Sequence, residues 1–277
     1  MKYKILKKHL SFDGQTLFCE HDSESTQTKM KFSVFVPKKI EEIDSALIWL
    51  SGLTCTEENF ITKAGAQKCL AGTNTMIICP DTSPRGVGVA GEDESYDFGS
   101  GAGFYVNATT EGYKDNYKMY DYITKDIVGL LKEDFQVNKL SIFGHSMGGH
   151  GALVIGLRES ELFKSVSAFS PIVHPMGCDW GKKALKGYLG EDQENWKKFD
   201  TCELIKDGYK AQSLILIDQG LADEFYPDQL LTSELESTCQ HFNIELKVNY
   251  RQGYDHSYYF ISSFIESHIE FHRSFLN

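Results

Sequence analysis

The chain has 277 residues, 41% of them hydrophobic and 24% charged, with a formal charge of -11. At this length a fold can bury roughly three quarters of its unfolded surface, so a core needs no disulfide or metal staple. The acidic balance argues against a nucleic-acid partner, and no stretch approaches the ~18 apolar residues of a membrane span. The seven cysteines are scattered, with no pair at C-x-x-C spacing. That usage fits reduced thiols in a cytosolic protein and suggests neither a zinc site nor a redox pair.

In chain order, residues 30–36 alternate apolar and polar as a half-buried strand does, and 46–50 form a continuous apolar run expected of a strand covered on both faces. That run ends in the turn-rich Ser51-Gly-Leu-Thr54. Residues 60–70 carry a helical face, 75–79 are a second buried strand, and 82–107 are rich in glycine and aspartate. Met119, Ile123, Ile127, Leu130 and Leu131 recur near a 3.6 period and predict a helix over 117–135. A strand at 140–143 leads into a helix reaching Arg158, followed by a strand at 165–169. Residues 171–210 are aromatic and irregular, and are expected to be an insertion with small helices. Strands at 213–218 and 245–250 alternate with helices at 227–242 and 258–275. Such alternation, with no linker, repeat or low-complexity tract, predicts one α/β domain over residues 1–277. Its sheet should be doubly wound and mostly parallel, with helices on both faces.

The sharpest signal is Gly144-His-Ser-Met-Gly148, placed between a strand and a helix. G-x-S-x-G in that setting is a nucleophile elbow, in which a strained turn lifts the serine hydroxyl above the sheet. Ser146 is therefore the candidate nucleophile. Catalytic groups in such sheets gather at the carboxyl ends of strands. Asp223 follows the strand ending at 218, and His256 follows the strand ending near 250. The order Ser, Asp, His is that of an α/β-hydrolase triad. Imidazole has the pKa to activate a hydroxyl, and the acid would hold its tautomer. Asp218, Asp228 and Asp255 are rival acids. The first lies on the strand, the second at an expected helix start, and the third directly beside His256.

Two amides are expected to form the oxyanion hole, those of Met147 and of Leu53, with Gly52 letting the backbone turn. His145 and His150 are expected to pack near the serine without taking its proton, and His174, His241, His268 and His272 to be surface or helix residues. Gly86-Val-Gly-Val-Ala-Gly91 matches G-x-G-x-x-G, yet Pro84 intervenes after the strand and Glu92-Asp-Glu94 follows where a pyrophosphate-binding helix would start. It is expected to be a flexible loop. No metal or nucleotide motif occurs, so neither metal nor cofactor is implied.

Several longer runs carry a resemblance. They are Trp49-Leu-Ser-Gly-Leu-Thr-Cys-Thr-Glu-Glu-Asn-Phe60, Pro80-Asp-Thr-Ser-Pro-Arg-Gly86, Gly101-Ala-Gly-Phe-Tyr-Val-Asn-Ala108, Gly144-His-Ser-Met-Gly-Gly-His-Gly-Ala152, Ser167-Ala-Phe-Ser-Pro-Ile172, Asp218-Gln-Gly-Leu-Ala-Asp223 and Gly253-Tyr-Asp-His-Ser-Tyr-Tyr-Phe260. In these runs and their order the chain resembles the S-formylglutathione hydrolase (esterase D) family of the α/β-hydrolases. The resemblance implies cleavage of S-formylglutathione to formate and glutathione, in formaldehyde detoxification. It also implies Ser146, Asp223 and His256 as triad, the Leu53 and Met147 amides as oxyanion hole, and a cytoplasmic, cofactor-free, dimeric enzyme that also accepts simple esters. Gly52, Cys55 and Trp180 are candidates for the substrate pocket: Trp180 either walls a narrow acyl site or packs the insertion, and Cys55 is either an inert packing residue or one whose alkylation blocks the site. The alternatives are a broad short-chain carboxylesterase, an acyltransferase, and a non-catalytic binding module on the same fold.

Overall fold

The continuous apolar runs become the middle of a sheet in the computed structural model, which describes residues 2–276. Its nine strands are β1 (Lys4–Ser11), β2 (Gly14–Asp22), β3 (Lys29–Val36), β4 (Ser45–Leu50), β5 (Thr75–Pro80), β6 (Lys139–His145), β7 (Phe163–Phe169), β8 (Ile215–Gly220) and β9 (Leu246–Arg251). They lie in the order β1-β2-β3-β5-β4-β6-β7-β8-β9. From β5 to β9 every neighbouring pair is parallel. β4, β5 and β8 are buried throughout, as expected of strands covered on both sides. Successive residues alternate between two cores. Ala46, Ile48 and Leu50 point into one, and Leu47 and Trp49 into the other.

The helices supply the covering layers. In chain order they are α1 (Glu57–Lys63), α2 (Ala66–Leu70), α3 (Met119–Asp121), α4 (Val128–Glu133), α5 (Met147–Arg158), α6 (Asp179–Leu189), α7 (Gln193–Lys197), α8 (Thr201–Lys206), α9 (Thr232–Phe242) and α10 (Tyr258–Leu276). α1, α2 and α10 pack together over one face, and α5 packs over the other with α8 and α9 beside it. This is the expected mostly parallel α/β-hydrolase architecture.

The N-terminal edge of the sheet is unread in the sequence, and four local expectations need correction. β1 and β2 had no sequence signal and turn one edge of the sheet antiparallel, because β2 pairs antiparallel with both β1 and β3. The helical face at 60–70 is two helices, since Gly65 at φ 74° breaks it. The helix over 117–135 contains a π-helical stretch, Tyr122–Ile127, whose wider turn brings Tyr122, Ile123 and Ile127 inward. The helix expected from 227 starts at Thr232, after a run of turns in which Asp228 is exposed. The loop containing Gly86 and Gly91 is not loose either. It wraps the buried Glu92 carboxylate, which accepts the Val87 and Gly88 amides at 3.1 and 2.7 Å and the Tyr117 hydroxyl at 3.0 Å.

Candidate active site

Ser146 sits at the joint between β6 and α5 with φ 58° and ψ -120°, a conformation that a non-glycine residue adopts only under local constraint. The constraint is visible. Its amide donates to the Phe169 carbonyl at 3.0 Å, and its carbonyl accepts the His150 and Ile172 amides at 3.0 and 3.2 Å. The elbow glycines are required by close approach. A Cβ on Gly148 would lie 2.0 Å from the Leu50 oxygen, and one on Gly144 would lie 2.3 Å from the Gly148 oxygen. The end of β4 is thereby pressed against the elbow. Gly52 continues that contact, since its Cβ would be 3.1 Å from Cβ of Ser146.

The loop from Gly52 to Leu53 therefore runs directly beside the serine. Among the described residues the Leu53 amide donates to no carbonyl, whereas Thr54 donates to Gly101 at 2.9 Å and Cys55 to Gly52 at 3.4 Å. Met147 is the first residue of α5, and an amide in the first turn of a helix has no intrahelical acceptor. Neither amide expected at the oxyanion hole thus has a backbone acceptor; Met147 follows Ser146 directly, and Leu53 follows Gly52, which lies against it.

Asp223 and His256 come from the loops after β8 and β9. The His256 Nδ1 lies 2.6 Å from Asp223 Oδ2, and Asp223 is buried. The other Asp223 oxygen accepts the Phe225 amide at 3.0 Å, which fixes the carboxylate's plane. With Nδ1 donating to the acid, Nε2 of His256 is left to act as base. The rivals are occupied elsewhere. Asp218 accepts from Asn249 and Arg251, each at 2.7 Å, and Asp255 accepts the Ser257 amide and hydroxyl at the start of α10.

Ser146 and His256 open onto one cavity of about 340 Å³. Gly52, Leu53, Cys55 and Trp180 are among the residues that line it, with Gly52 beside the serine. Trp180 belongs to the insertion. Its indole donates to the Tyr96 hydroxyl at 3.1 Å, and its ring lies 4.6 Å from that of Phe225, which in turn stands edge-on to His256 at 4.9 Å. Tyr96, Phe225, Asn59, Lys63 and Tyr258 also line the cavity and were not singled out from sequence. Phe225 and Tyr258 lie two residues beyond Asp223 and His256, a proximity that could have flagged them. Tyr96 comes from the glycine-rich segment and offered no signal.

The neighbouring histidines are held neutral. Burial, helped by repulsion from His256, pushes His145 well below the usual imidazole range, and its ring lies 4.3 Å from that of His256. Burial lowers His150 to about 4, and its Nε2 meets the Phe104 carbonyl at 3.0 Å. His268 and His272 are on α10 as expected, but fully buried. Burial raises the Cys55 thiol pKa, which keeps it protonated and a poor nucleophile. One cluster has metal-ligand residue types: His174, Asp200 and Cys202 offer atoms within 4.8 Å of one another. Asp200 already accepts from His174 Nδ1 at 2.8 Å and from the Met176 and Glu203 amides at 3.1 Å, and burial holds the Cys202 thiol strongly protonated. That donor set does not fit a metal.

A strained serine between strand and helix and an acid–histidine pair beyond two later strands are the outline of a serine hydrolase on an α/β-hydrolase scaffold. The Esterase family model matches residues 23–271, which makes this class plain. An S-formylglutathione hydrolase of Rattus norvegicus is 47% identical over 281 residues, covering 100% of both chains. One of Arabidopsis thaliana is 50% identical over 257 residues, covering 91% of this chain and 90% of the relative. The solved structure of an S-formylglutathione hydrolase from Agrobacterium tumefaciens superposes with a TM-score of 0.96 at 41% identity, covering 99% of this chain and 100% of that one. The chain belongs to the S-formylglutathione hydrolase family of esterases.

Proposed function

We propose that this enzyme cleaves S-formylglutathione to formate and glutathione, and so serves formaldehyde detoxification. The Ser146 oxygen attacks the formyl carbon while His256 Nε2 takes its proton. The resulting oxyanion is received by the Leu53 and Met147 amides, each of which would contribute ~2.7–4 kcal/mol to the transition state. Collapse expels the glutathione sulfur, which takes the proton from the His256 imidazolium and whose thiol pKa near 8.5 makes it a better leaving group than an alkoxide. Water, its proton taken by the now neutral His256, attacks the formyl carbon, and formate leaves as His256 returns that proton to the Ser146 oxygen. Asp223 holds the imidazole tautomer and offsets its positive charge.

The observation carrying this reading is the 2.6 Å Asp223–His256 contact on the wall of the cavity that also holds the strained Ser146. A non-catalytic module would have no need to retain either the pair or the strain. Hydrolysis of S-formylglutathione and of 4-nitrophenyl acetate, by wild type and Ser146→Ala, tests it. Preference for the thioester, lost in the variant, supports the proposal. Comparable turnover of the oxygen ester would favour a broad carboxylesterase, a reading that the aromatic lining of Trp180, Phe225 and Tyr96 also supports. Transfer of the formyl group to an added alcohol in preference to water would favour an acyltransferase. No helix among the described residues is long and apolar enough to cross a membrane. The proposal places the enzyme in the cytoplasm as a homodimer, which fractionation and sedimentation would check. Cys55 lines the cavity, so a maleimide adduct, although slow to form on a protonated thiol, should block turnover once it is demonstrated on Cys55.

A further inference from the structure

The formyl group is the small end of the proposed substrate; most of its recognition must come from the tripeptide it leaves behind. That tripeptide carries two carboxylates and one ammonium group, so an acidic chain with a formal charge of -11 needs a local device to accept it. The catalytic cavity supplies one. Among the residues lining it, Lys63 is the only lysine or arginine, and no aspartate or glutamate is present. Beyond it lies a second cavity of about 610 Å³, lined by Lys63, Ser257, Tyr258, Tyr259 and Ser262, which again has Lys63 as its one charged wall. Lys63 and Tyr258 belong to both, so the two spaces meet along these side chains.

Local structure explains why the ammonium stands there. Asn59 and Lys63 are one turn apart on α1 and both reach the catalytic cavity. The Lys63 ammonium lies 5.5 Å from the centre of the Tyr258 ring, a cation–π contact that holds the stem across the junction. Among the described residues no carboxylate pairs with it, unlike Lys7 on the same side of the molecule, which takes Glu58 at 3.2 Å. Tyr259, 84% exposed on the far wall, offers an aromatic face against which a peptide can lie.

The geometry points to Lys63 as the group that reads a carboxylate of the glutathione moiety, with the tripeptide running from the catalytic cavity across Tyr258 into the second one. This assignment rests on the thioester reading above. Lys63 is a specificity-determining residue in it, remote from bond making.

The experiment measures inhibition of 4-nitrophenyl acetate hydrolysis by S-methylglutathione, a thioether that cannot be cleaved, and by its glycinamide analogue, alongside S-formylglutathione kinetics. The enzymes are wild type, Lys63→Gln and Lys63→Arg. The expected result for Lys63→Gln is an inhibition constant raised about fivefold, the size of a part-exposed ion pair. The ratio of thioester to neutral-ester kcat/KM should fall by a similar factor, through KM, and Lys63→Arg should restore most of both. If the glycine carboxylate is the partner, the glycinamide discriminates little between wild type and Lys63→Gln. If the γ-glutamyl carboxylate is the partner, both inhibitors weaken together; either pattern supports the assignment. An unchanged inhibition constant in Lys63→Gln, with thioester turnover intact in wild type, overturns the role of Lys63 alone. Absence of thioester turnover in wild type overturns the substrate reading and this assignment with it.

Discussion

Of the three aspartate–histidine pairs among the described residues, two draw their acid from the end of β8 or the loop after it, and only one of these faces the cavity. Asp223 and His256 meet through Nδ1 at 2.6 Å, with the imidazole on the cavity wall. Asp218 and His268 approach through Nε2 at 3.6 Å, both fully buried, with His268 stacked on Phe169 at 3.8 Å. The second pair ends in a closed chain. His268 Nδ1 lies 2.8 Å from the Ser167 hydroxyl, which is 2.7 Å from His272 Nε2, and His272 Nδ1 is 2.8 Å from Ser165. Burial would raise Asp218, but His268, Arg251 and Asn249 together hold its carboxyl below the usual range. Burial lowers His268 in spite of that acid. An acid beside an imidazole is therefore no signature of catalysis. The distinguishing feature is which ring nitrogen the acid occupies and whether the other one reaches a cavity.

The sharpest way to break the contrast is to disable each pair. Asp223→Asn should lower kcat by about 10⁴-fold at unchanged thermal stability, because it strands the wrong tautomer; a loss under tenfold by steady-state kinetics would remove Asp223 from the site. Asp218→Ala should do the opposite. Leaving Arg251 without its partner should cost about 3–5 kcal/mol in urea unfolding, with kcat per folded molecule within about threefold of wild type. Gly52→Ala sharpens the picture of the active side. Its new Cβ meets Ser146 at 3.1 Å, so the Leu53 amide must shift. We expect a fall in kcat of about 100-fold, the size of a lost oxyanion donor, and wild-type kcat in this variant would place the hole elsewhere.

The smallest effect, per group, is on stability against pH. His145, His150, His268 and His272 all have pKa values lowered by burial. In the unfolded chain each takes up a proton near pH 6.5, and in the folded chain only at lower pH. Below pH 6.5 the unfolded state binds more protons, so stability falls with falling pH by up to about 1.4 kcal/mol per pH unit for each histidine. His174, raised chiefly by its hydrogen bond to Asp200, works the other way, adding stability below pH 6.5 that is lost as pH rises through its folded value. The net result should be a lower urea midpoint at pH 5.5 than at pH 7; an equal or higher midpoint would mean that the buried histidines are protonated in the fold.

Much of this architecture was legible because buried parallel strands write themselves as unbroken apolar runs, as β4 and β5 do. β1 was not legible because nearly all of it is exposed, leaving no alternation to read. The burial of His268 and His272 was in principle readable. They share the face of α10 that carries Ile261, Ile265, Ile269 and Leu276, but imidazole counts as polar in any periodicity count. Ser146, Asp223 and His256 could be singled out because each follows a strand at the same edge. Lys63 could not, since its place depends on where a short helix comes to rest against the start of α10, some 200 residues later.

The packing around the elbow also bears on how such an enzyme could be redesigned. One side of the active cavity is set by backbone against backbone, where even a methyl group on Gly148 would lie 2.0 Å from a carbonyl. Elsewhere its lining is an aromatic roof, the side chain of Trp180 with those of Phe225 and Tyr96 against it, on the insertion and the connecting loops. Diversity in a directed-evolution library is therefore best spent on the roof. Acceptance of bulkier acyl groups should arise there by trimming one aromatic ring at a time, while the floor under Ser146 tolerates almost no alphabet at all.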